Sequence, residues 1–308
     1  MNFNTTQMKL RGFTKTIAMQ VISGLCFLSS PLAQTYDSLI FLKGYKTKVY
    51  YSTGNEKRAA LIAGRCDKVM GFYKTLIAFE PAVQVLILDP ADWKKYTKFP
   101  VYGMPHYNDN QTLIIASRDN DFWKSFVPPL EKLPKDLAEQ ISLTYNNGNG
   151  TLTMQPFFDL LAIHELGHAF HSQGGLTMQR KWMGELFANL LLHTYIAENE
   201  PEQLPALTIF PKMVIAGGTD GLKYTSLNDL ENRYDEIGEQ HPQNYGWYQS
   251  RWHSAAGDVY DKSGTAAFTK LWEALKLQKD KLNDDALASF LSGNVHQSVA
   301  DVLLKWDE

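Results

Sequence analysis

One stretch of the chain leaves its fold little choice. Between residues 157 and 170 the apolar side chains Phe157, Phe158, Leu160, Leu161, Ile163, Leu166 and Phe170 recur at helical spacing. Gly174-Gly175 follows, where a helix of that length ends. A second helical stretch, with Leu186, Phe187, Leu190, Leu191 and Leu192, is apolar over much of its circumference. The tight glycine connection lets the second helix return alongside the first. His164, Glu165, His168 and Glu185 stand inside this pair. A carboxylate in so apolar a helix is partly buried, and a buried carboxylate requires a partner.

Residues 164–168 read His164-Glu165-Leu166-Gly167-His168. Helix positions four apart differ by about 40° around the axis and lie one turn apart, so both imidazoles reach one metal ion from the same face. Glu165 lies beside that face, where its carboxylate can hold a water. Glu185 on the returning helix faces the two histidines. Two His and one Glu form a standard protein ligand set for hydrolytic zinc. Asn189, one turn after Glu185, is placed to hydrogen-bond the free nitrogen of a ligating histidine and fix its tautomer. The bland alternatives are a solvated histidine face and an ordinary surface Glu and Asn. His171 and His193 are the other histidines nearby. His193, two turns past Glu185, reads as a helix-surface residue that could also line the site.

Composition narrows the class. Of 308 residues, 44% are hydrophobic and 20% charged, which is a globular balance that excludes gross disorder. Residues 1–33 carry Lys9, Arg11 and Lys15, no acidic residue, an apolar run from Ile17 to Leu28 and small residues up to Ala33. That order reads as a secretory signal peptide, with cleavage after Ala33. Leu25 ahead of Cys26 is wrong for a lipoprotein signal, so the product is expected to be exported, either secreted or periplasmic, and not lipidated. Without residues 1–33 the chain keeps 27 Lys and Arg against 33 Asp and Glu, a net charge of −6. Such a balance gives no reason to expect a nucleic-acid partner. Only Cys66 then remains, so an internal disulfide cannot form. No later segment has the apolar length of a transmembrane helix.

Elsewhere the pattern predicts a strand within 36–52, a helix over 56–79, and buried strands at Val83–Leu88 and Thr112–Ala116. Helices are expected over 155–173, 177–199, 243–261, 265–279 and 284–305. Gly217-Gly218-Thr219-Asp220-Gly221 is read as a turn. The expected fold is therefore α+β. A mixed α/β part over 34–154 precedes a helical part over 155–308, with an active-site cleft between them.

His164-Glu165-Leu166-Gly167-His168 with Glu185 on the following helix resembles the gluzincins, the zinc metallopeptidases that include thermolysin and the aminopeptidase N branch. The resemblance is strong over residues 157–192 and architectural elsewhere. The separation of His168 from Glu185 is slightly shorter than in either branch, and the exopeptidase sequence Gly-Ala-Met-Glu-Asn does not occur, so no particular family is assigned. The resemblance implies zinc on His164, His168 and Glu185, with Glu165 as general base in hydrolysing peptide bonds of a peptide or protein substrate. It implies an oxyanion donor, often Tyr or His. Tyr245 and Tyr248, 60 and 63 residues beyond Glu185, are the candidates, with His253 behind them and a core role for either Tyr as the rival reading. It further implies substrate binding along an exposed edge strand, here Gly103-Met104-Pro105-His106 and the residues on to Ala116, with an ordinary hairpin as the equal rival reading. Two other functions fit the same residues: a peptide-binding protein that keeps zinc for structure, and a zinc hydrolase of a non-peptide amide.

Overall fold

A computed structural model describes residues 36–308 except 109, 147 and 148. The expected leader lies outside the described residues. Five strands form one mixed sheet: β1 Ile40–Leu42, β2 Lys48–Tyr51, β3 Gln84–Leu88, β4 His106–Asn108 and β5 Thr112–Ala116. Their order is β1-β2-β3-β5-β4. The central pairs, β2 with β3 and β3 with β5, are parallel, in a register that aligns Val49, Val85 and Leu113. The flanking pairs, β1 with β2 and β4 with β5, are antiparallel. Val85 to Leu88 and Leu113 to Ala116 are wholly buried. That explains their unbroken apolar runs, which a parallel strand covered on both faces requires.

The region expected to hold one strand is a hairpin of two. Gly44 has positive φ between β1 and β2, and alternation alone does not reveal such a reversal. β5 is interior to the sheet, and β4, half-buried, is the edge on its side.

Twelve α-helices complete the described chain, which is α+β and mostly helical. α1 Glu56–Ile77 buries Ala59, Ile62, Ala63, Cys66, Val69, Met70, Tyr73 and Ile77, one stripe at i, i+3, i+4 and i+7 spacing. It packs on β1, β2 and β3. Short helices α2 Pro90–Tyr96 and α3 Asp121–Ser125 begin at side-chain caps from Asp89 and Asn120. α4 Lys135–Thr144 follows, then α5 Gln155–Gln173 and α6 Lys181–Asn199. α7 Leu204–Ala216 and α8 Leu227–Gln240 come next, the latter started by a Ser226–Asp229 capping box. α9 Pro242–Ser263, α10 Thr265–Leu277, α11 Asp284–Asn294 and α12 Gln297–Leu304 close the chain. The single helix expected over 284–305 is thus broken, at Val295-His296, where the His296 side chain caps α12.

α6 is the centre of the molecule. Every residue from Trp182 to Ile196 is buried, and α5, α7, α8, α9 and α10 all pack against it. Leu190, Leu191 and Leu192 are fully enclosed, each contributing about 2 kcal/mol of burial. No helix among the described residues is long and apolar enough to cross a membrane.

Candidate metal centre

α5 and α6 run antiparallel in close contact. His164 meets Asn189, Gly167 meets Ala188, and Gly184 lies opposite His171. A Cβ on Gly167 would lie 2.7 Å from the Ala188 Cα, so the absence of a side chain there sets how near the helices come. This approach brings three donor atoms together. His164 Nε2 is 3.1 Å from His168 Nε2 and 3.3 Å from Glu185 Oε2; His168 Nε2 is 3.8 Å from that oxygen. Ligands held at about 2.0–2.1 Å in a tetrahedral shell are separated by roughly 3.3 Å. The group can hold a metal ion, with all donor atoms within 4.8 Å of one another.

The surrounding bonds leave those atoms free to ligate. Asn189 Nδ2 donates to the Glu185 carbonyl at 3.1 Å and to Gln249 Oε1 at 3.3 Å. Its Oδ1 therefore faces His164 Nδ1 at 3.2 Å and accepts that proton, which in the neutral ring leaves Nε2 as a lone pair. On His168, Nδ1 lies 3.0 Å from His171 Nε2, so Nε2 is again the inward donor when Nδ1 carries the proton. Two imidazole lone pairs at 3.1 Å repel unless a proton or a cation lies between them, which is the donor chemistry of a metal site.

Glu185 is buried and fully partnered. Tyr234 Oη donates to Oε1 at 2.5 Å, and Gln249 Nε2 donates to Oε2 at 2.7 Å. Burial alone would push its carboxyl up; the adjacent His168 and His164 and the Tyr234 bond outweigh that and hold it well below the usual carboxylate range. Burial pushes His168 down to about 3 and His171 down to about 4, so both are neutral rings at physiological pH. Glu165 is half-buried beside the triad. The Tyr107 backbone N–H on edge strand β4 donates to its Oε2 at 2.9 Å. Burial first, then the Glu185 charge, pushes its carboxyl up to about 7, against the opposing pull of His164.

The other residues singled out from sequence separate into groups. Tyr245 is at the site: its Oη accepts from Gln249 Nε2 at 2.9 Å, and its ring stands perpendicular to Tyr234 at 6.3 Å. Tyr248 is not. Its hydroxyl donates to the Ser226 carbonyl at 2.7 Å, and its ring stacks between Trp252 and Trp306 in the core. His253 is buried with its ring 6.2 Å from His164. His193, read as a surface histidine, is buried against Gly257 and Tyr260 because α9 covers that side of α6.

Gly103, Met104, Pro105 and His106 lead into β4. The Gly103 carbonyl accepts from Trp123 Nε1 at 2.7 Å. His106 spends both ring nitrogens locally, on the Met104 carbonyl at 3.1 Å and on Thr97 Oγ1 at 2.8 Å, and stacks on Phe99. The contact from this segment to the site is instead the Tyr107 N–H.

Sequence reasoning passed over Tyr234 and Gln249. Gln249 falls one turn after Tyr245 on α9, a spacing that could have marked it. Tyr234 follows the non-helical Arg233 in α8, and no local pattern announces it. No family model matches the chain, and no curated protein matches it in sequence.

Proposed function

We propose that the chain is an exported zinc-dependent peptidase, a gluzincin in its chemistry, with His164, His168 and Glu185 as ligands. The observation that carries this reading is the convergence of His164 Nε2, His168 Nε2 and Glu185 Oε2 at a tetrahedral spacing, with the Glu165 carboxylate beside them. Two imidazoles and one carboxylate suit zinc, and three protein ligands are the number of a catalytic rather than a structural site. When bound, zinc supplies a Lewis acid and lowers the pKa of water to about 7.

The chain's own groups do the rest. The Tyr107 N–H holds Glu165 Oε2, so Oε1 is the atom left to take a proton. With Oε1 free, the Glu165 carboxylate is placed to accept that proton and return it to a leaving amine. Tyr245, close enough to Glu165 and Glu185 to feel both charges, is the O–H donor for a developing oxyanion. The substrate would lie beside β4, flanked by the segment Gly103 to His106, with the Tyr107 N–H kept for Glu165 rather than for a substrate strand.

The test is cleavage of a complex peptide mixture by the zinc-loaded protein, read by mass spectrometry, with Glu165→Gln in parallel. The wild type should hold about one zinc per chain and cleave. Glu165→Gln should hold the same zinc and lose roughly 10²- to 10⁴-fold in rate. A wild type that holds zinc and cuts no peptide would move the reading to a non-peptide amide or to a binding protein.

A further inference from the structure

Gln249 lies where the two ligand helices meet the site tyrosines, and the mechanism above makes no use of it. Its Nε2 donates to Glu185 Oε2 at 2.7 Å and to Tyr245 Oη at 2.9 Å. Its Oε1 accepts from Asn189 Nδ2 at 3.3 Å. The amide cannot be reversed. Turned over, it would set Oε1 against a carboxylate oxygen and its NH₂ group against that of Asn189.

Donation therefore runs in one direction through the site. His164 Nδ1 donates to Asn189, Asn189 to Gln249, and Gln249 to Glu185 and Tyr245. Aligned bonds of this kind polarise and reinforce one another. Two metal-ligand candidates on different helices are thus held by a single amide on a third. Because the Tyr245 oxygen accepts from Gln249, its own proton is left for a different acceptor.

We propose that Gln249 is a positioning residue of this centre: through Asn189 it fixes His164, directly it fixes the metal-facing oxygen of Glu185, and it sets the direction in which Tyr245 donates. The proposal rests on the metal-centre reading, and its test separates the two.

The experiment measures zinc affinity by chelator competition and the visible spectrum of the cobalt-substituted protein, for wild type, Gln249→Met, Gln249→Asn and Ser250→Ala. Gln249→Met keeps the shape without the amide. Gln249→Asn keeps an amide that is too short to reach Glu185, and it serves if the Met variant fails to fold. Both should bind zinc roughly 10- to 100-fold more weakly, the usual effect of losing a partner behind the ligands, and should shift the cobalt spectrum. Ser250→Ala, next on the same helix and bonded only to the Gly246 carbonyl, should change neither. Combined with Asn189→Ala, the Gln249→Met effect should be less than additive, because the two amides act in series.

Where the wild type cleaves peptides, zinc-saturated Gln249→Met should lose kcat with KM little changed. Wild-type zinc affinity and an unaltered cobalt spectrum in a folded Gln249→Met or Gln249→Asn would overturn the proposal, whatever the peptidase assay shows. A wild type that binds metal but hydrolyses nothing would sink the peptidase reading alone, since the affinity measurements still report on Gln249. A wild type that binds neither zinc nor cobalt would overturn both.

Discussion

Tyr245 and Tyr248 are three residues apart on one helix, but only Tyr245 reaches the candidate metal centre, and under the peptidase reading substitution of each by phenylalanine separates them. Tyr248 spends its hydroxyl on the Ser226 carbonyl inside an aromatic stack. Tyr248→Phe should therefore cost about 1 kcal/mol of stability in urea unfolding and leave kcat unchanged. Under that reading Tyr245→Phe should do the reverse: unfolding near wild type, zinc retained, and kcat reduced by roughly 10²-fold or more, the usual loss when an oxyanion donor is removed. Equal kcat in the two variants would remove Tyr245 from the mechanism. The sequence could not distinguish these tyrosines, since both fall at suitable distances from Glu185 and share a helix. His164 with His168, and Glu185 with Asn189, were legible because each pair is one helical turn apart and the Gly174-Gly175 connection lets the second helix return beside the first. Tyr234 and Gln249 were not, because their partner Glu185 lies 49 and 64 residues away and is reached only once α8 and α9 dock on α6.

At the scale of elements, the connection between α5 and α6 decides whether the ligands meet. Gly174 and Gly175 end α5 together for different reasons. A Cβ on Gly174 would collide with the Trp272 ring of α10, whereas Gly175 has open space but a φ of +68°. Asparagine tolerates positive φ better than other residues with side chains. Gly175→Asn should therefore cost under about 1 kcal/mol, and Gly174→Asn about 1–3 kcal/mol, because Trp272 must move. Comparable melting temperatures for the two variants would contradict this assignment. Such steric detail is invisible in sequence, where the pair reads simply as a helix end. The same limit explains the other discrepancies: strong apolar runs marked β3, β5, α5 and α6, but the reversal at Gly44 and the break at Val295-His296 depend on backbone dihedrals and caps rather than on hydrophobic period.

At the scale of the whole molecule, an ion pair helps tie the sheet to the ligand helix. Arg58 on α1 pairs with Asp159 on α5, its two terminal nitrogens 2.5 and 3.0 Å from the carboxylate oxygens, and its Nε donates to the Ala116 carbonyl of β5. Both side chains are nearly enclosed, at 11% and 12% exposure. Asp159→Ala would strand a buried guanidinium and should cost about 3 kcal/mol. Replacing both residues with apolar side chains of similar size should recover much of that loss in the same denaturation measurement. A second global consequence concerns the metal. The candidate ligands sit on α5 and α6, the helices around which the core is assembled, so any bound metal would couple its occupancy to folding. Under the zinc reading, a free-metal concentration of about 100 times Kd adds about 2.7 kcal/mol to stability. A chelator should then lower the melting temperature of wild type and leave that of His164→Ala unmoved.

The placement of Glu185 in the most enclosed helix of the protein reaches beyond turnover to lifetime. Under the zinc reading, a copy without the ion would have a carboxylate and two imidazoles crowded at its centre, would open more often, and would be cut by neighbouring proteases while open. Metal scarcity would then act as a census on this protein, thinning the number of copies before it slows any one of them.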